Sequence, residues 1–533
     1  MTGRNPPFRF VSRPPVAVSA PTNLPDPPER RAFVLAGAPC LFAALVCGLV
    51  LMSPLRDAGP LALDEHGSYW LVESDLPGTV LERSLGYAAI PPLSAWLEQP
   101  FLAVFGRSEF VFRLPSALCY LACIGVTWLV AAQLADHHSA GLAAFLLAWH
   151  PLLDEVRIAR CYGLLMLLSA VLLWCTLRWR QQPQQWRWPI AWAVTAAALM
   201  WTHYVALPLI GVAWLTLLIP REAAGQPRIR FSAIAAASAL SALLCLPLLP
   251  AILRMREWSP FLNYMPEGQP WWKTIGPLWW AAFPAGLALT VILRRFGSAT
   301  TIPLRRILLP AIWTLVPLTC LLLLARGDMS SLANPRYQIP YAAGGAVLIA
   351  VALRALHSRV PVNIAATIAV IGVTWTLADA RPWNLRRLGA PADAEWREAA
   401  RHIEEVGVVG EPVFVQSGLI ESWLAPELYQ DELFLEYVGC RVSRFYLRTR
   451  HPRIGLPYFW NSAEMRSQYR EFMSWGYTTT ETFWVAAATD TDLNRASLAG
   501  IEELARSSGF VATVENRGPN MTLLRYQHPA EGP

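Results

Sequence analysis

Residues 87–105 read YAAIPPLSAWLEQPFLAVF, and whether they cross a membrane decides the fold. The stretch is apolar and of spanning length, yet it carries Glu98 and the prolines Pro91, Pro92 and Pro100. A proline inside a helix removes a hydrogen bond and clashes with the preceding turn, and a carboxylate at the bilayer centre is costly. If the stretch crosses, every later loop changes side. If it lies along the interface, the sequence on either side of it shares one face of the membrane. A membrane is not in doubt: 54% of the 533 residues are hydrophobic and only 15% are charged, against about 25% charged in ordinary soluble domains.

Eleven other apolar segments suit a hydrocarbon core about 30 Å thick. They are 32–53, 111–134, 139–153, 161–177, 188–204, 205–220, 231–253, 275–293, 307–325, 337–353 and 360–378. With 87–105 kept in the interface, the loops 178–187, 221–230, 294–306 and 354–359 fall on the side of the Arg30-Arg31 tail. Those loops hold about 12 Arg in roughly 39 residues, and the opposite loops about 10 basic residues in roughly 97, the asymmetry that the positive-inside rule requires. The sequence thus predicts a polytopic α-helical protein of the cell (inner) membrane with about 11 transmembrane helices and external amphipathic helices in the long loop 54–110.

Residues 1–31, rich in Pro and Arg, read as a disordered cytoplasmic tail, and the run after them is too long for the core of a signal peptide. Residues 32–380 form the membrane domain. Residues 381–533 turn charged and mixed and fall outside as a small α/β domain. Helical spacing there shows in AEWREAARHIEEV and DLNRASLAGIEELARSSG, and strand patterns in PVFVQ, TFWVAAAT, FVATVEN and MTLLRYQ. A lid, a scaffold or a dock for an acceptor are the roles open to it. The net charge of +6 comes from 43 Arg and the single Lys273; no soluble basic stretch interleaves with aromatics, so nucleic acid is excluded as a partner. All nine Cys but Cys440 lie in or beside apolar segments, without zinc spacing.

One set of polar residues then converges on the outer face: Asp64, Glu65 and His66; Asp154, Glu155, Arg157, Arg160 and Tyr162; His203 and Tyr204; Arg336 and Tyr337. Arginine binds a phosphate through a planar fork, and a carboxylate takes a proton from a hydroxyl or holds a cation. Such a set suits an anionic, lipid-linked substrate. Asp154 and Arg157, spaced i, i+3, could simply pair across a helix turn. Arg113 reads as a snorkelling or interface-anchoring residue, and His150 as a core histidine.

The order ALDEHGSYW, PPLSAWL, SEFVFRLPSAL, WHPLLDEVRIARCYG, WTHYVALPL, NPRYQIPYAAG resembles the polyprenyl-phosphate-sugar-dependent membrane glycosyltransferases of the GT-C fold. These include the protein O-mannosyltransferases, the lipid A aminoarabinose transferases and the RgtA/B/C/D-like group. The resemblance covers roughly residues 30–380. It implies a polyprenyl-phosphate sugar as donor, a glycan, lipid or protein as acceptor, and one inverting displacement. It also implies Asp64 as catalytic base, with Glu65 beside it to orient it or hold an ion. Arg160 and Tyr162 match an Arg-x-Tyr element, and Arg336 would neutralise the donor phosphate. The need for a divalent cation is left open. Ile158 and Ile90 stand where many relatives carry Glu, and His or Lys, respectively. Two other classes compete: a polytopic transporter, which would place its charges at the bilayer midplane rather than at helix ends, and a non-catalytic membrane scaffold.

Overall fold

The computed structural model describes residues 27–53, 55, 59–88, 90–219, 229–254, 286, 302–326, 329–356, 360–377, 391–417, 431–442, 444–447, 451–456, 467 and 481–529. The membrane part opens with α1 (Pro27–Leu51). Next come α2 (Leu63–Val72), α3 (Val80–Arg83), α4 (Leu93–Phe105), α5 (Glu109–Leu134), α6 (His137–Ala148), α7 (Leu153–Arg157), α8 (Tyr162–Gln181), α9 (Arg187–Met200), α10 (Leu207–Leu218), α11 (Phe231–Cys245) and α12 (Leu249–Arg254). It continues through α13 (Leu304–Ala325), α14 (Ala342–Leu356) and α15 (Val360–Leu377). Ten of the eleven expected segments are helices, and the eleventh, 275–293, lies outside the described residues. So does the expected disordered tail up to residue 26; its last residues, from Pro27, already belong to α1, because a proline in a first helical turn costs no hydrogen bond.

Among the described residues, five helices are long and apolar enough to cross a membrane, and three shorter apolar ones accompany them. The deciding stretch is not among them. A π-helical turn over Ser84–Ala88 takes in its first residues, and α4 has only 13 residues before Gly106 ends it with φ 79°. At 1.5 Å per residue that is roughly 20 Å, too short for a 30 Å core. The helix is amphipathic: Trp96, Val104 and Phe105 face outward while Ala95 and Glu98 are buried.

Small residues let the central helices close up. A Cβ on Gly163 of α8 would fall on the Ser116 carbonyl of α5, which keeps the start of α8 hard against α5. Ser116 Oγ also donates to the Val156 carbonyl at 2.8 Å, so α5 fixes the loop leading into α8.

The C-terminal part contains α16 (Pro391–Val406), β1 (Val413–Gln416), α17 (Glu432–Val438), β2 (Arg453–Gly455), β3 (Thr482–Ala488), α18 (Asp492–Ser507), β4 (Val511–Arg517) and β5 (Met521–Gln527). The strand order is β2-β1-β3-β5-β4. β1 runs parallel to β2 and β3, and β5 antiparallel to β3 and β4, with Phe414 opposite Val485 and Val485 opposite Leu524. This is the small α/β fold expected of it, with β2 and α17 added. Its core does not end at the sheet. Phe434, Tyr437, Phe445, Phe483 and Tyr526 form one buried cluster with Leu61, Tyr69, Trp70 and Leu71 of the first loop.

Candidate active site

The site is built on α2, a helix whose N-cap residue offers no cap. Its N-cap is Ala62, whose side chain offers no acceptor, and alanine is among the poorest N-caps. Glu65 reaches back instead and accepts from the Ala62 N–H at 2.9 Å, while the Tyr446 hydroxyl accepts from the Leu61 N–H at 2.9 Å. Beyond the other end, the buried Arg83 guanidinium donates to the carbonyls of Leu71, Glu73, Leu76, Pro77 and Gly78 at 2.7–3.2 Å. A cation suits a helix C-terminus, where carbonyls lack partners.

Successive helical residues diverge by about 100°, and Asp64 and Glu65 part accordingly. Glu65 points inward and is fully buried. It accepts from Arg113 Nε at 2.7 Å and Nη2 at 2.6 Å and from the Ala159 N–H at 2.7 Å. Arg113 in turn donates to the Gly59 and Pro60 carbonyls, both at 2.8 Å. With four donors on two oxygens, Glu65 has no lone pair left for an ion, which corrects the ion-holding role open to it from sequence. Arg113 likewise neither snorkels nor anchors: its side chain is 0% exposed, the charge that balances Glu65.

Asp64 points the other way, its side chain 37% exposed. Its Oδ2 meets Arg336 Nη1 at 2.8 Å and Arg160 Nη2 at 3.7 Å, and Arg160 Nη1 also donates to the Asp64 carbonyl at 3.3 Å. Arg160 comes from the loop before α8. Arg336 comes from a 3-10 turn, Pro335–Tyr341, begun by Asn334, whose Oδ1 accepts from the Arg336 N–H. Arg160 first, and Arg336 with it, hold the Asp64 carboxyl below its usual range despite burial. Glu155 lies within electrostatic reach of the same groups and is shifted the opposite way: burial raises it, as do Asp64 and Asp154, against the pull of Arg336 and Arg160.

An aromatic wall adjoins the arginines. Tyr162 stacks on His203 with ring centroids 6.3 Å apart, His203 meets Tyr337 edge-on at 5.5 Å, and Arg336 Cζ lies 5.5 Å from the Tyr337 ring centre. The His203 Nδ1 accepts from the Val205 N–H. His66 is lowered to about 3 by burial and by Arg441 and Arg113. That imidazole cannot serve as a base that titrates near neutrality.

Seven residues singled out from sequence therefore share one place: Asp64, Glu155, Arg160, Tyr162, His203, Arg336 and Tyr337. Five do not join them, among them Glu65 on Arg113 and the buried His66. Arg157 pairs with Asp154 at 2.7 Å, and its Nη2 donates to the Leu51 carbonyl; it ties down the end of α1, and Asp154 is 85% exposed. The buried Tyr204 hydroxyl makes no hydrogen bond to the arginines or to any other described residue. Sequence reading missed the pairing of Arg113, although an arginine in the first turns of an apolar helix needs a carboxylate, and it missed Tyr446. Among the described residues no three His, Cys, Asp or Glu gather as metal ligands.

Residues 89–250 match the family described as dolichyl-phosphate-mannose-protein mannosyltransferase. No curated protein matches the chain in sequence. Among solved structures it is similar to ArnT from Cupriavidus metallidurans in the apo state, with TM-score 0.58 and 14% identity over 93% of this chain and 98% of that one. With ArnT bound to undecaprenyl phosphate the TM-score is 0.54, at 14% identity over 95% and 99%. The Archaeoglobus fulgidus oligosaccharyltransferase in complex with Zn and sulfate gives 0.51, at 13% identity over 92% and 74%. At these identities the structural likeness is one of fold, and the fold is that of the GT-C membrane glycosyltransferases. With the family match across α4 to α11, the chain is by class a glycosyltransferase.

Proposed function

We propose that the protein transfers a sugar from a polyprenyl-phosphate donor to a lipid, glycan or protein acceptor at the outer face of the cell membrane, inverting the anomeric centre. The observation that carries this reading is Asp64 held between Arg160 and Arg336 at the helix ends: one half-exposed carboxylate and two forks for a phosphate, beside an aromatic wall. The arginine asymmetry of the loops supports the outer face, and the bond from Leu61 to Tyr446 puts the sheet domain on the side of α2.

The resting ion pairs suggest how the chemistry begins. A donor phosphodiester competes with Asp64 for Arg336 and Arg160, since charge-assisted bonds to a phosphate are strong and fit the guanidinium fork. As the phosphate takes the arginines, Asp64 loses the partners that depress its proton affinity and becomes the better base. The acceptor hydroxyl attacks the anomeric carbon while the bond from that carbon to the phosphate oxygen breaks. Its proton goes to Asp64, and the electron pair leaves with the polyprenyl phosphate, which gains one negative charge. Arg336 and Arg160 stabilise that developing charge. Glu155, Tyr162, His203 and Tyr337 are assigned to binding the sugar and the lipid head. In this reading the neutralising charge is supplied by Arg160 and Arg336.

The test compares glycolipids and glycoproteins, by mass spectrometry, from cells with and without the chain. Loss of one defined sugar from one acceptor is expected; identical glycan profiles would overturn the reading.

A further inference from the structure

The sheet domain touches the helix that carries Asp64 at its least secure point. The start of α2 has an alanine N-cap, and the Leu61 N–H ahead of it is met by a hydroxyl 385 positions away, that of Tyr446. The contact is one of several with the same loop. The Tyr446 ring meets His66 edge-on at 5.7 Å and Phe445 at 5.1 Å; Phe445 meets Tyr69 at 4.9 Å; Tyr437 packs on Trp70 at 4.9 Å. Arg107 Nη1 donates to the Arg444 carbonyl at 2.7 Å, and the Tyr87 hydroxyl to Asp431 at 2.6 Å. Leu61, Tyr69, Trp70 and Leu71 are buried in one cluster with the sheet. Lifting the domain away as a lid would expose that cluster to water, an unfavourable opening for surface of this size.

We propose that the C-terminal sheet domain is the fixed seat of the catalytic helix, with Tyr446 as a positioning residue that holds the start of α2 and thereby keeps Asp64 between Arg160 and Arg336. The proposal rests on the transfer reading for its kinetic consequence but not for its structural one. Catalytic groups lose rate steeply when displaced by an ångström, and a helix of ten residues has little intrinsic stability of its own to resist such a shift. Tyr446 touches neither donor nor acceptor in this scheme; it acts through Leu61.

The test uses the full chain in lipid nanodiscs and two variants. Tyr446→Phe removes the acceptor while keeping the ring; Phe445→Leu trims the packing while keeping the bond. In Tyr446→Phe, amide exchange over 61–66 is expected to accelerate, and kcat to fall about tenfold, the scale of one lost buried hydrogen bond, with donor KM unchanged. The acid limb of the rate profile should move up as Asp64 leaves its arginines. Phe445→Leu should lower the thermal midpoint and leave exchange at Leu61 as it was. Wild-type exchange and kcat in Tyr446→Phe would overturn the proposal, as would a loss of kcat that tracks the thermal midpoint alike in both variants. If the wild-type chain transfers no sugar from any polyprenyl-phosphate donor, the functional reading fails, and the exchange data still decide whether Tyr446 seats α2.

Discussion

Asp64 and Glu65 are neighbours in sequence and opposites in structure: Asp64 Oδ2 lies 2.8 Å from Arg336 at the open side of the bundle, and Glu65 Oε2 lies 2.6 Å from Arg113 in its interior. Their substitutions should therefore fail in different ways. Asp64→Asn keeps shape and removes the base, so transfer should drop to near background, with a thermal midpoint lowered only by the loss of half-exposed ion pairs. Glu65→Gln leaves Arg113 charged, buried and unbalanced, a loss of about 3–5 kcal/mol when one partner of a buried pair is removed. It should lower the thermal midpoint and the yield of folded protein. Transfer assays on purified protein beside thermal scans separate the two; near-normal transfer by Asp64→Asn would shift the base to Glu155.

The helices, the sheet domain and the shortness of the helix within 87–105 were legible because apolar length and proline act locally along the chain. Asp64, Arg160 and Arg336 were legible because polar residues at the ends of apolar helices have few other uses. The direction in which a side chain leaves its helix was not. Glu65 differs from Asp64 by one residue, and only the partner from α5, Arg113, turns it inward. Tyr446 was hidden for a related reason: the backbone N–H it meets, that of Leu61, is far away in sequence, and no local pattern marks a tyrosine as the partner of another segment.

Arg336→Lys tests the phosphate site. Lysine keeps the charge but loses the planar fork and the contact with the Tyr337 ring. Donor affinity, measured by titration with the polyprenyl-phosphate sugar, should fall about tenfold or more, the loss expected for one charge-assisted bond, in a protein that remains folded. Unchanged affinity would reject Arg336 as the phosphate ligand.

Arg160→Gln should move the pH profile. Arg160 is the largest of the influences that depress the Asp64 carboxyl. With a depressed folded value, the carboxylate's contribution to stability is present above the ordinary value of about 3.9 and is lost as pH falls through the depressed one. Without Arg160 the carboxyl returns towards its ordinary range, so the acid limb of kcat/KM should shift to higher pH. A limb that stays in place belongs to another group.

Sidedness can be read by labelling. Ser74 and Ser508 are both exposed, one in the first loop and one in the sheet domain. Ser74→Cys and Ser508→Cys, each in a chain cleared of reactive native thiols, should both react with an impermeant maleimide added to intact cells. Protection of Ser508→Cys alongside labelling of Ser74→Cys would contradict the shared outer face.

Glu98, the charge inside the stretch 87–105, gives the last test. It is 3% exposed, and its Oε2 has no hydrogen-bond partner among the described residues. Burial raises its carboxyl well above the ordinary range, with Arg160 opposing and Glu65 adding to the shift. A buried carboxyl held in this way folds as the neutral acid. Its contribution to stability is fully present below the ordinary value of about 4.3 and is lost as pH rises through the raised one. Glutamine mimics the neutral form at every pH. Glu98→Gln should therefore match the wild type in acid and exceed its thermal midpoint increasingly as pH rises, in a detergent or nanodisc scan from acid to neutral pH. Parallel pH dependences for the two proteins would mean that Glu98 does not titrate in that window and that its carboxylate is stabilised by a partner of its own.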